Sequence, residues 1–573
     1  MQRQTIGPVQ PFERPRPGQA PYRWYWTTPL IVSSFDPNSI YTGANILFRS
    51  DDRGVSWKPI SPDLTANIDR EGLQMMGGPI PRNAFSRHDG QSSFSALTTI
   101  AESPLDKNLL YTGADDGTIQ MTRDGGQHWT DLTRNVRGLP STLNISGLIA
   151  SKHAAGRVYV TVDGHFNDDY HPYVFVSENF GKTWRAITSG LPETSVHRIR
   201  EHPVNPNFLV AGLEAGVYAS FDRGAHWTSL NTNLPPVPVY DLVFQESEHA
   251  LVVGTHGRSI WVLDHVEPLA QLTPEVVTGN GHLFPVPAVH PQTIQVGQFW
   301  FGAGEFFAPN PPHGAVVTYY LPTGSIGGVR IVISDTAGKT VRTLLGPAQA
   351  GLNRACWDLR MAPPLPEHGP PAMASCSGLG GGGGGGRGSA SPGVLPGRYT
   401  VSVTPAGGPP LETAITVGPD PHFTISDADR LTRYAAILSA YTLSQQLAPA
   451  RDAAEMLVGQ AAAVRQYLTA AGEGGTSALV VVERVTLEVT RVLGQVNRTL
   501  ASAANVQSGM DGYDGLPTAA QLRQLEWAWE DATSSVTALN RLIQQDMPAV
   551  YAAAGGSIKW PQVKPAPVPV RQP

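Results

Sequence analysis

Cysteine is nearly absent from this 573-residue chain: only Cys356 and Cys376 occur, with no Cys-x-x-Cys and no Cys/His array, which excludes a structural zinc site built on thiolates. The pair suffices for one disulfide if the chain is exported. Charge is also sparse, at 15% of residues, and the formal net charge of −6 leaves no basic surplus to neutralise phosphates, so nucleic acid is excluded as the expected partner. No run of 18 apolar residues occurs, so no membrane span is expected, and residues 1–25 lack the apolar core of a signal peptide. No defined ligand spacing marks a metal site, and no cofactor is expected.

What the chain has in abundance is turn chemistry, with Gly 60 and Pro 50, and its length calls for more than one hydrophobic core. One eight-residue motif, S/T-x-D/N-x-G-x-x-W, occurs four times. Its copies place Ser50, Asp52, Gly54 and Trp57, then Thr122, Asp124, Gly126 and Trp129, then Ser177, Asn179, Gly181 and Trp184, and last Ser220, Asp222, Gly224 and Trp227. Alternating apolar runs flank each copy, the signature of a hairpin. The Gly allows a positive φ, the Ser and Asp oxygens accept the turn's N–H groups, and the Trp packs between neighbouring sheets. These sixteen residues are therefore read as architecture.

Upstream of each box lies a second echo, such as IVSSFDPNSIYTG at 31–43 and IREHPVNPNFLVAG at 199–212. Four strands per unit fit a β-propeller blade, and a fifth unit at 241–264, ending GTHGRSIWVLD, has the first strands but no box. The expectation is a mainly β chain: an N-terminal arm at 1–27, about five Asp-box blades at 28–266 and a connector at 267–312. It either closes as a small propeller, with the segment at Trp24, Tyr25 and Trp26 completing a blade, or forms an open arc.

The four boxes, the terminal GTHGRSIWVLD and the DGHFNDDYHPY hairpin at 163–173 resemble bacterial BNR/Asp-box repeat proteins related to the sortilin (VPS10) propeller, often labelled glycosyl hydrolases. The resemblance is strong over about 20–266. It implies a periplasmic or secreted protein, and a chain corresponding to the C-terminal half of such a protein, with a missing N-terminal propeller half or a second copy of the chain as partner. Because sialidases, xyloglucanases, sortilins and photosystem assembly factors share the box, it leaves chemistry open.

Downstream, short alternating strands between 313 and 419 predict a β-sandwich. It resembles the Ig-like or fibronectin-like module of flagellar hook-cap proteins, and a Gly-rich, disordered insertion is expected at 363–396. Residues 424–554 read as an α-helical bundle, with Ser426 and Asp429 as an N-cap pair and Pro449 expected to kink or interrupt the first helix. A Pro-rich tail occupies 555–573.

Ligand sites are expected on the face opposite the boxes. Paired carboxylates there would suit glycoside hydrolysis, one as acid and one as base or nucleophile; the candidates are Asp115, Asp116, Asp168, Asp169 and Glu214. Ligand-binding candidates are His88, Asp89, His165, His171, His256 and Arg258. The competing reading makes Asp115 and Asp116 an ordinary hairpin turn, and Asp168 and Asp169 caps of their own loop. With no catalytic signature present, the favoured expectation is a non-catalytic binding or scaffold protein for a protein, peptide or glycan; the alternative is a sialidase- or xyloglucanase-like hydrolase.

Overall fold

The structure, a computed structural model, describes residues 6–8, 22–75, 78–85, 93–291, 304, 314–365, 373–374, 376, 391–422, 424–472, 476–512, 515–555 and 559–571. The run of seven glycines at 380–386, His88 and Asp89 lie outside these residues. The chain divides into two compact units, 1–273 and 274–573.

The first unit is built of five successive antiparallel sheets of propeller-blade type. Four have four strands in sequential order: Leu30–Val32, Ile40–Gly43, Leu47–Ser50 and Lys58–Pro59; then Leu97–Ser103, Asp106–Ala114, Ile119–Thr122 and Thr130–Asp131; then Asn144–Ala150, Val158–Asp163, Tyr173–Ser177 and Arg185–Ala186; then Val196–Glu201, Leu209–Leu213, Gly216–Ser220 and Thr228–Ser229. The fifth has three: Val239–Gln245, Ala250–Thr255 and Ile260–Leu263.

Every box forms the turn between strands three and four of its sheet. In the first, Ser50 Oγ donates to Asp52 Oδ1 at 2.7 Å and accepts the Gly54 N–H at 2.8 Å, while Asp52 Oδ1 accepts the Ser56 N–H at 2.8 Å. The fourth repeats this with Ser220, Asp222, Gly224 and His226. These acceptors hold two consecutive residues in the left-handed region, Arg53 (φ 60) with Gly54 (φ 89), and Arg223 (φ 58) with Gly224 (φ 81). The locked turn then reaches sideways: the Arg53 N–H donates to Asn38 O at 2.9 Å and the Arg223 N–H to Asn207 O at 2.9 Å, tying it to the turn between strands one and two.

The Gly and Trp of a box also join its sheet to the preceding one. Trp227 Nε1 donates to Ile187 O at 2.7 Å and Trp129 Nε1 to Ile60 O at 3.3 Å. A Cβ on Gly126 would lie 2.5 Å from Ile60 O. Between these fastenings, facing sides of successive sheets share apolar cores, for example Phe208, Val210, Val217 and Ala219 of the fourth sheet with Leu242, Leu251 and Val253 of the fifth.

The two end sheets differ. On the far side of the first, Tyr22 and Trp24 pack on Phe48, with ring centroids at 5.1 and 5.9 Å, and Ile6 O accepts Trp57 Nε1 at 2.6 Å. The segment at Trp24–Trp26 is no strand: it lies over an existing sheet. On the far side of the fifth, Ile260 and Val262 are 68% and 55% exposed, whereas their counterparts in the fourth sheet, Val217 and Ala219, are 3% and 0% exposed.

In the second unit, a three-stranded sheet (His282–Leu283, Ala315–Leu321, Gly351–Trp357) and a four-stranded sheet (Thr340–Gly346, Val329–Ser334, Gly397–Thr404, Leu411–Val417) close on one core that includes Val317, Tyr319, Ile331, Ile333, Trp357 and Val401. Cys356 and Cys376 form a disulfide. Helices Asp427–Ala470, Ser477–Asp511 and Ala519–Arg541 pack around a second core. Ser426 caps the first, accepting the Asp429 N–H at 3.1 Å. Pro449 does not interrupt that helix, which runs through it; buried Leu447, Ala448, Ala450 and Ala453 pack on both sides of the proline, and packing overrides the lost hydrogen bond. Arg360 joins the sheets to the bundle through a 2.6 Å ion pair with Asp511.

Gly126→Ala is expected to lower stability by about 2 kcal/mol or more, since it combines a left-handed φ with a backbone clash; urea unfolding followed by Trp fluorescence measures it.

Candidate functional site

At the end away from the boxes, in the second, fourth and fifth sheets, the turn between strands two and three hydrogen-bonds to the residue that leads into strand one. Asp115 N–H donates to Ala96 O at 3.0 Å, Glu214 N–H to Ser195 O at 3.1 Å and His256 N–H to Pro238 O at 2.8 Å. These turns form a rim, and the first strands beside it carry further polar groups.

The centre of the rim is a chain of paired side chains crossing from the third sheet to the fifth. Asp163 ends the second strand of the third sheet and is nearly sealed, with 4% of its side chain exposed. His165, on the short 3-10 turn that follows, has Nδ1 at 2.7 Å from the Asp163 carboxylate. His197, on the first strand of the fourth sheet, has Nδ1 at 3.4 Å from Asp163 Oδ2 and Nε2 at 2.8 Å from Glu214 Oε1. One imidazole thus bridges two carboxylates, Asp163 buried and Glu214 with 27% of its side chain exposed. On the fifth sheet, Tyr240 stacks on the His197 ring at 4.2 Å, and His256 lies beside Tyr240 at 5.6 Å.

Electrostatics divide the carboxylates of this rim. Burial alone would push the Asp163 pKa up, but hydrogen bonds from His197, the His165 N–H and the His165 ring outweigh it and hold the carboxyl well below the usual range. Asp115 goes the other way. Burial raises its pKa to about 7, against the N–H of Ala96 at 2.8 Å and with help from the neighbouring Asp116 charge. Tyr25 connects the two: burial raises its pKa, and the charges of Asp115, Asp163 and Tyr240 raise it further while Arg198 opposes them. Groups from the second, third, fourth and fifth sheets therefore act on one phenol. On the same first strand of the fourth sheet as Arg198, Arg200 pairs with Asp241 at 2.8 Å.

The structure gathers Asp115, Glu214, His165 and His256 here, from among the sequence candidates. Asp116 is a turn fastener, with Oδ1 accepting Thr118 Oγ1 at 2.7 Å and Oδ2 accepting the Ala66 N–H at 2.9 Å. Asp168 is exposed at φ 57 where the 3-10 turn ends, and Asp169 accepts Tyr173 Oη at 2.9 Å. His171 is exposed and paired with Glu193, and Arg258 is exposed with its carbonyl accepting Trp261 Nε1 at 2.9 Å. Sequence reasoning missed Asp163, His197, Tyr240 and Tyr25. Asp163 stood at the edge of a loop already singled out; His197 and Tyr240 sit on first strands, where only the register shows that they face the rim. Among the described residues, no group of three His, Cys, Asp or Glu side chains is disposed to hold a metal ion.

Residues 47–60 and 174–187 match the BNR-Asp box repeat. Over 296 residues the chain is 25% identical to a probable oligoxyloglucan-reducing end-specific xyloglucanase of Neosartorya fischeri, an alignment covering 42% of this chain and 35% of that protein. The chain thus spans about a third of the length of this curated relative. Solved structures similar to it include the GH74 enzyme of Niastella koreensis (14% identity, 58% of this chain and 45% of that chain, TM-score 0.31) and the GH74 xyloglucanase of Xanthomonas campestris (13% identity, 57% and 46%, TM-score 0.30). YCF48 bound to D1 peptide is a third (15% identity, 43% and 68%, TM-score 0.28).

The two rim aspartates should tilt stability against pH in opposite directions. Asp115 has a folded pKa raised above its ordinary value of 3.8, so its contribution is complete at pH below that value and is lost as pH rises toward 7. Asp163 has a depressed one, so its contribution is present above that value and lost as pH falls. Urea midpoints across this range should show Asp115→Asn flattening the neutral limb and Asp163→Asn flattening the acid limb.

Proposed function

We propose that the chain is a glycan-directed propeller protein of the glycoside hydrolase class, acting outside the cytoplasm on a glucan laid across the rim. One arrangement carries this reading: Asp115, buried and with its pKa pushed up to about 7, stands on the same rim where Glu214 is held by His197. Carboxyl groups with divergent environments divide acid and base roles between them. Asp115 donates its proton to the glycosidic oxygen as the C1–O bond breaks. Glu214 either activates the water that attacks C1 or attacks C1 itself; the separation of the two carboxyls across the bound sugar decides which. His197 and Asp163 position Glu214, and the Tyr240 ring, 44% exposed, offers a face on which a sugar stacks. The xyloglucanase relative favours a β-glucan backbone as substrate. The disulfide supports an oxidising compartment.

The second reading is a sortilin-like binding protein, with an Ig-like module and a helical bundle as accessory surfaces. It is favoured by how many rim carboxylates are already engaged: Asp163 by two histidines, Asp116 by its own turn and by Ala66, and Asp169 by its own loop. In that case the ligand is a protein, peptide or glycan, and the bare face of the fifth sheet receives a further propeller half or a second copy.

Reducing-end release from xyloglucan and mixed-linkage glucan separates the readings. Asp115→Asn is expected to cut turnover about 100-fold or more, with an unchanged circular-dichroism spectrum and undiminished retention in polysaccharide gels. Retention without turnover in the unaltered protein supports the binding reading, and absence of both removes the glycan altogether.

A further inference from the structure

The proline-rich C-terminal segment is not a free tail. Trp560, Val563, Ala566 and Pro569 recur every third residue and are the positions of 559–571 withdrawn from solvent, with Ala566 only 6% exposed inside the bundle core; the intervening residues face water. A period of three matches that of the polyproline II helix, and the segment lies as an amphipathic strap with one face on the bundle. Three side-chain amides of the bundle read its main chain. Asn540 clamps Ala566 from both sides, accepting its N–H at 2.8 Å and donating to its carbonyl at 2.8 Å. Gln446 does the same at Val570, at 2.8 and 3.2 Å, and Gln460 donates to Pro561 O at 2.9 Å. The clamped residues are non-prolines, the only ones able to offer an N–H. Beyond Ala566, Pro569 and Arg571 line a shallow cleft with Trp529, Glu530 and Thr533.

We propose that this groove between the first and third long helices is a recognition site for extended proline-rich peptides, with the chain's own strap as resident occupant. Side-chain amides that pair with both N–H and C=O of one residue recognise backbone, so the groove accepts any polyproline II segment with a small apolar residue at the Ala566 position and a free N–H four residues further on. Its partner is a proline-rich segment of another protein, which binds by displacing the strap.

Hydrogen exchange on the intact, isotope-labelled chain tests this. The amides of Ala566 and Val570 should be protected about tenfold or more relative to a free peptide of residues 559–571, and Asn540→Ala should remove most of that protection at Ala566. An excess of unlabelled 559–571 peptide should lower the protection in the intact chain, and the same peptide N-methylated at Ala566 and Val570 should not. Free-peptide exchange rates in the intact chain, no displacement by excess peptide, or equal displacement by the N-methylated peptide each overturn the proposal.

Discussion

The hydrogen-bonded box turn is the constraint on which the first unit depends. A hydroxyl and, two residues on, a carboxylate or the amide oxygen of Asn179 accept N–H groups of the turn and keep two successive residues at positive φ. From that lock follow the link to the neighbouring turn of the same sheet and the approach of Gly and Trp to the preceding sheet. Because all this fastening lies at one end of each sheet, the other end is free to vary. Turns there are long in the third sheet and tight in the second and fourth, and they carry the polar groups of the rim.

At that rim the same side-chain type is driven in two directions by surroundings alone. Asp115 is buried beside another carboxylate, and burial outweighs the backbone N–H groups that face it, so its acid form is favoured; Asp163 is as buried, but two imidazoles and an N–H face it, so its ionised form wins. His197 then passes that arrangement on to Glu214, the more accessible carboxylate of the cluster. Tyr25, supplied by the segment before the first strand, feels charges of Asp115, Asp163, Tyr240 and Arg198 from four sheets.

Much of the first unit was legible because box residues are neighbours in sequence: S/T-x-D/N-x-G-x-x-W encodes its own turn. The three-stranded fifth sheet was equally visible, since its box is missing. The rim was harder. Turn residues such as Asp115 and Glu214 could be found from spacing, but the value of each depends on burial and on partners far away in the chain, and His197 and Tyr240 look like ordinary strand residues until the register is known. Pro449 leaves the helix unbroken for a related reason: local propensity argues for a break, and the packing of a 44-residue helix argues more strongly against it. The strap at 559–571 carried a period of three that a search for periods of two and 3.6 passes over.

Central to this reading is one buried carboxyl group, Asp115, whose pKa is raised by burial while that of Asp163 on the same rim is lowered by its donors. Carboxyl-carbon NMR of the intact chain, with Asp115 assigned through Asp115→Asn, measures this directly across the pH range. A midpoint near 7 for Asp115 is the predicted result; a midpoint at the ordinary value of 3.8 would contradict the assignment of Asp115 as the proton donor of the rim.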